Sequence, residues 1–119
     1  MNPVKRRDMK TVTKPVITEA DFLSQVIDLA HIFSWKVAHF RPAMTKWGWR
    51  TAVAGDGAGF PDCVFARERI IWAELKTETG QPTLEQYEWL AALAEAGQEV
   101  YLWRPDDIGE IIGVLQGTD

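Results

Sequence analysis

Apolar side chains fall at helical spacing early in the chain. Phe22, Val26, Leu29, Ala30 and Phe33 follow one another at steps of four, three, one and three, which marks one face of a helix. Thr18 stands at the N-cap position with Asp21 three residues later, the pattern of a capping box. The helix is expected to end near Ser34. Lys36 to Phe40 alternates around Val37 and predicts a short strand that Pro42 stops. Arg41 to Phe60 shows no such period. It holds Trp47, Trp49 and the glycines Gly48, Gly55, Gly57 and Gly59, and predicts a long loop.

Two apolar runs follow, Cys63 to Ala66 and Ile70 to Lys76, parted by Arg67, Glu68 and Arg69. They predict a β-hairpin. Thr83 and Gln86 form a second capping box, and Tyr87, Leu90, Ala91 and Ala94 are the expected inward face of a helix that Gly97 ends. Glu99 to Arg104 predicts another strand. Pro105 and Asp106 open a last helix with Ile108, Ile111, Ile112 and Leu115 in register. Helices covering a mixed central sheet bury these faces most economically, which predicts an α/β fold.

The 119 residues suit one domain, assigned to residues 18–119, behind a basic arm at residues 1–17. Lys5, Arg6, Arg7, Lys10 and Lys14 against Asp8 give residues 1–15 a net charge of 5 − 1 = +4. The whole chain stands at −4, so the remainder carries −8. The arm reads either as a solubilising tail or as a strap for phosphates. A single cysteine, Cys63, excludes an intrachain disulfide and is expected to be buried and inert. No apolar run reaches membrane-spanning length, and the expectation is a cytoplasmic protein.

The candidate chemistry lies at Asp62, Glu74 and Lys76. Strand alternation puts Trp72, Glu74 and Lys76 on one side, and a hairpin brings Asp62 towards them. Phosphodiester hydrolysis needs a nucleophilic water, relief of charge on the phosphate and an exit for the leaving oxygen, and a divalent metal serves all three. Asp62 and Glu74 offer hard oxygen ligands suited to Mg²⁺ or Mn²⁺, with the backbone carbonyl of Leu75 as a third. Lys76 can orient or deprotonate the attacking water, or offset developing negative charge. The bland alternative is a surface ion pair. In the long loop, Arg41, Lys46 and Arg50 supply positive charge, and Trp47 and Trp49 can stack on bases or simply staple the loop.

The order Glu19, Gly59-Phe60-Pro61-Asp62, Glu74-Leu75-Lys76-Thr77, Glu85-Gln86, Ala96-Gly97, Val100-Tyr101 and Trp103-Arg104-Pro105 resembles the VRR-NUC branch of the PD-(D/E)XK nuclease superfamily. The resemblance covers Glu19 to about Leu115. It implies a restriction-endonuclease-like core and metal-dependent DNA cleavage. Asp62, Glu74 and the Leu75 carbonyl would hold the metal, with Glu19 reaching in from the first helix. Lys76 would serve the attacking water, and Gln86 would organise the site beside it, a role that competes with capping its own helix. The family tends to carry a histidine where His39 stands, where it would contact phosphate or a metal-bound water, the alternative being a structural role. Stand-alone domains of this size resemble phage and bacterial homodimers that cut branched DNA, including four-way junctions. Apolar residues left over from Trp35, Trp89, Leu93 and the last helix are candidate dimer surfaces or else local core, and the sequence does not separate the two. Three other readings stay open: a silent DNA-binding or scaffolding module, a nuclease acting on RNA or free ends, and a structural domain in a larger assembly.

Overall fold

The computed structural model describes residues 16–40, 43–46, 48–50 and 54–117, with the side chains of 43–45, 49 and 50 outside that description. Thr18 has extended backbone, and its Oγ1 accepts the Asp21 N–H at 3.1 Å. That satisfies one of the amides a helix start leaves open and begins α1, Glu19–Ile32. The expected stripe is the one that is buried. Phe22, Val26 and Ala30 are fully enclosed, while Leu29 and Phe33 pack at the margin. Ser34 then takes a left-handed turn, φ 67, and the chain returns as β1, Lys36–His39.

Where the pattern predicted an unbroken loop, two short strands pair instead. β2, Ala43–Thr45, and β3, Gly48–Arg50, form an antiparallel ribbon with Thr45 opposite Gly48. Gly48 at φ 100 supplies the backbone that so short a connection demands. Strands of three residues are too brief for alternation to register. Arg41 and Trp47 lie outside the described residues, as do the side chains of Trp49 and Arg50 and the arm up to residue 15.

β4, Cys63–Ala66, and β5, Ile70–Leu75, make the expected hairpin. The chain then crosses through α2, Leu84–Glu95, to β6, Glu99–Trp103, which runs parallel to β5. The sheet order is β1-β4-β5-β6, with the first two pairings antiparallel. A 3₁₀ turn, Pro105–Asp107, leads into α3, Ile108–Gln116. The described residues thus form a small α/β domain with three α-helices and a four-stranded mixed sheet.

One sheet face carries Phe65, Ile71, Ala73, Leu75 and Trp103, all buried with Phe22, Val26 and Ala30 of α1 and Ile111 and Leu115 of α3. That is the core. Trp35 belongs to it as well. It is 2% exposed and its indole N–H donates to the Leu115 carbonyl at 2.7 Å. Trp35 is therefore a core residue in this chain and not a dimer surface, because the indole that looked surplus closes the end of α3.

α2 is a different kind of element, since none of its residues is buried. The residues it turns inward are Gln86, Trp89, Leu90 and Leu93, while Tyr87, Ala91 and Ala94 face solvent. The expected face is rotated by about one residue. Trp89 sets the rotation: its indole N–H donates to the Asp56 carbonyl at 2.9 Å and its ring meets Phe60 edge-on at 5.0 Å.

Arg67 and Arg69 pack at the far end of the sheet. Arg67 donates to the carbonyls of Phe33 at 2.9 Å and Leu115 at 3.1 Å. Arg69 donates to the Val114 carbonyl at 2.9 Å and to Glu99 at 2.7 Å. Both guanidinium groups lie over the Trp35 ring, 4.5 and 5.1 Å from its centroid. These cations close the C-terminal end of α3. No helix among the described residues is long and apolar enough to cross a membrane.

Candidate active site

In the β4–β5 hairpin Cys63 lies opposite Ala73, so the next step sets Asp62 opposite Glu74. Here side chains take over the ladder. The Asp62 N–H donates to Glu74 Oε1 at 3.1 Å, and the Leu75 N–H donates to Asp62 Oδ2 at 2.9 Å. Each carboxylate is held by a backbone amide of the opposite strand. The sequence expectation that a hairpin brings these two acids together agrees with this register.

The segment before Asp62 is fixed from outside the hairpin. Gly59 has φ +80, and a Cβ there would come within 2.5 Å of the Glu85 carbonyl carbon and 2.6 Å of the Gln86 nitrogen. Only glycine lets this segment lie on the first turn of α2. Phe60 then meets Phe40, Trp72 and Trp89 edge-on, with centroids 5.2, 5.7 and 5.0 Å away. Pro61 is buried, and the Phe40 N–H donates to the Asp62 carbonyl at 2.9 Å.

Glu74 is 1% exposed, and its Oε2 has no hydrogen-bond partner among the described residues. Lys76 Nζ is 3.6 Å from that oxygen. Burial pushes the Glu74 carboxyl up to about 8, the charge of Asp62 pushes the same way, and Lys76 opposes them. Burial likewise raises the Cys63 thiol, helped by the two acids beside it, which keeps it an unreactive thiol as expected.

Glu19 is exposed in the first turn of α1. Among the described residues no group of three or more His, Cys, Asp or Glu side chains is placed to hold a metal ion. The Gln86 side-chain oxygen accepts the Thr83 N–H at 2.8 Å, and the Gln86 N–H donates to Thr83 Oγ1 at 3.2 Å. The capping box is complete and engages that oxygen. His39 is the register partner of Cys63 and so shares its face of the sheet, opposite to that of Glu74. Lys46 is exposed next to the β2–β3 connection.

If a hard divalent cation binds here, Asp62 and Glu74 are the acids that would hold it. Mg²⁺ commonly takes one or two carboxylates and leaves its remaining positions to water and phosphate. Two apposed acids, one with an orphaned and buried oxygen, are what such an ion would satisfy.

Sequence reading gave Arg104 no role. Its Nη1 donates to the carbonyls of Thr77 at 2.6 Å, Glu78 at 3.3 Å and Gly80 at 2.7 Å. Partners that are backbone carbonyls leave no residue-type signature, so spacing could not have revealed it. The chain matches no protein-family model, and no curated protein is similar to it.

Proposed function

We propose that this protein is a divalent-metal-dependent nuclease that hydrolyses DNA phosphodiester bonds, built on a restriction-endonuclease-like core of the VRR-NUC type. The observation that carries the reading is the buried Glu74 carboxylate, apposed to Asp62 and unsatisfied at Oε2, with Lys76 3.6 Å away. Burying an acid against another acid costs stability unless a cation or proton compensates it. A purely structural site is better served by apolar side chains.

Asp62 and Glu74 would hold Mg²⁺ or Mn²⁺, with the Leu75 carbonyl as a further oxygen. Such an ion supplies positive charge at the phosphate and acidifies water. Lys76 holds its ammonium beside the orphaned oxygen, where it can orient the attacking water or offset charge on the phosphate. Phe60, Gly59 and Pro61 keep Asp62 in place. We further propose branched DNA, such as a four-way junction, as the substrate and a homodimer as the active form, since two sites at fixed separation address two strands.

The test is cleavage of a labelled four-way junction beside a matched linear duplex, in Mg²⁺, Mn²⁺ or EDTA. Cutting of the junction that requires metal and falls by about a hundredfold or more in Lys76→Ala is the expected result. Equal cutting of both substrates leaves a nuclease and removes the junction preference. A second reading, a DNA-binding module without chemistry, draws on Gln86 capping its helix. Tight junction binding with no cutting in either metal selects it.

A further inference from the structure

The turn that follows Lys76 is built to a degree that a surface connection does not require. Gly80 N–H donates to Thr77 Oγ1 at 3.0 Å, closing the turn on itself. Arg104 Nη1 gathers the Thr77, Glu78 and Gly80 carbonyls from one side. The Asp106 N–H donates to Glu78 Oε1 at 2.6 Å from the other. Arg104 is itself fixed, since its N–H donates to Asp107 Oδ2 at 2.8 Å and the preceding Trp103 carbonyl accepts the Lys76 N–H at 3.0 Å.

The turn also lies beside the lysine. A Cβ on Gly80 would lie 3.7 Å from Lys76 Cδ, in ordinary van der Waals contact, so Gly80 stands within one side-chain atom of the lysine stem. The Lys76 side chain is 17% exposed and its ammonium rests 3.6 Å from Glu74 Oε2. Long flexible side chains lose rotamer freedom only when something holds their stem.

We infer that Arg104 is a positioning residue: by clamping the Thr77–Gly80 turn against the Lys76 stem, it aims the ammonium at the Glu74 carboxylate. The inference rests on the nuclease reading for its effect on rate, and on the turn alone for its effect on Lys76. Arg104 acts through the turn and reaches neither acid.

Arg104→Ala, Arg104→Lys and Gly80→Ala test it in the full chain. Gly80→Ala leaves the arginine intact but sets a Cβ 2.9 Å from Thr77 Oγ1, the atom that accepts the Gly80 N–H, and so disturbs the bond that closes the turn. Junction cleavage, Mn²⁺ binding by titration of the metal alone, and trypsin nicking after Lys76 are measured together. Arg104→Ala and Gly80→Ala should each lower kcat by about tenfold or more, with KM and Mn²⁺ affinity within about twofold, because a displaced catalytic group costs rate before it costs binding. Both should quicken nicking after Lys76, and Arg104→Lys should recover part of each loss. An unchanged kcat and nicking rate in both variants overturns the inference, as does a loss lying wholly in KM. If the unaltered protein cuts no nucleic acid, the nuclease reading fails. The clamp is then judged by nicking alone, where faster nicking upholds it and an unchanged rate overturns it.

Discussion

Glu74 holds its proton up to about pH 8, against an ordinary carboxylate value of 4.5, when no metal is present. A folded-state value raised above the unfolded one stabilises most below the unfolded value. That stability is lost as pH rises towards the folded value. The thermal midpoint measured in EDTA should therefore fall between about pH 5 and pH 8, and Glu74→Gln should flatten that slope. Mn²⁺ should raise the midpoint more at pH 8 than at pH 6, because below pH 8 it must displace the proton. Glu68 titrates elsewhere: hydrogen bonding to Arg67 lowers it to about 2, so its loss belongs to strongly acid solution. At this scale the sequence was informative. Asp62, Glu74 and Lys76 were legible as one constellation because strand alternation and hairpin register are properties of the pattern itself. Glu19 and Gln86 were less so, because their placement depends on how helices seat on the sheet.

α1 and α2 have similar capping signals and unequal anchoring. α1 buries Phe22, Val26 and Ala30, whereas α2 buries nothing and depends on its capping box, the Trp89–Asp56 bond and the Phe60 contacts. Amide hydrogen exchange should be faster throughout α2 than in the middle of α1. Thr83→Ala should lower stability by about 1 kcal/mol in urea denaturation and widen that difference. The sequence located both helices through their N-caps. It misjudged which side of α2 turns inward, because Tyr87, Leu90, Ala91 and Ala94 satisfy helical spacing as well as Gln86, Trp89, Leu90 and Leu93 do. The choice is made by the Gly59–Phe60 segment, far away in sequence. The β2–β3 ribbon escaped notice for a related reason, since pairing across a two-residue connection needs a backbone state rather than a hydrophobic pattern.

Across the whole molecule, three of the cations in the described residues serve backbone carbonyls. Arg67 and Arg69 close α3, and Arg104 clamps the turn after Lys76. Attraction to phosphate on the proposed reading thus falls to Lys5, Arg6, Arg7, Lys10 and Lys14 of the arm, with Lys36, Arg41, Lys46 and Arg50 and with Lys76 at the site. Removing residues 1–15 should weaken junction binding and make the slope of log affinity against log salt shallower by about four, measured by fluorescence anisotropy. Arg67→Ala should leave that slope unchanged and instead cost about 1–3 kcal/mol of folding stability.

The parallel pairing of β5 with β6 sets an order of assembly. Asp62 and Glu74 meet through a hairpin that spans 12 residues, while Arg104 reaches Thr77 only after the chain has crossed through α2 and closed a loop of 27. Short loops close before long ones. In refolding, the acids should come together while Lys76 is still unconfined. Mn²⁺ binding followed by stopped flow should recover ahead of protection from trypsin at Lys76, so that a nascent chain acquires its place for a cation before it acquires an aimed lysine.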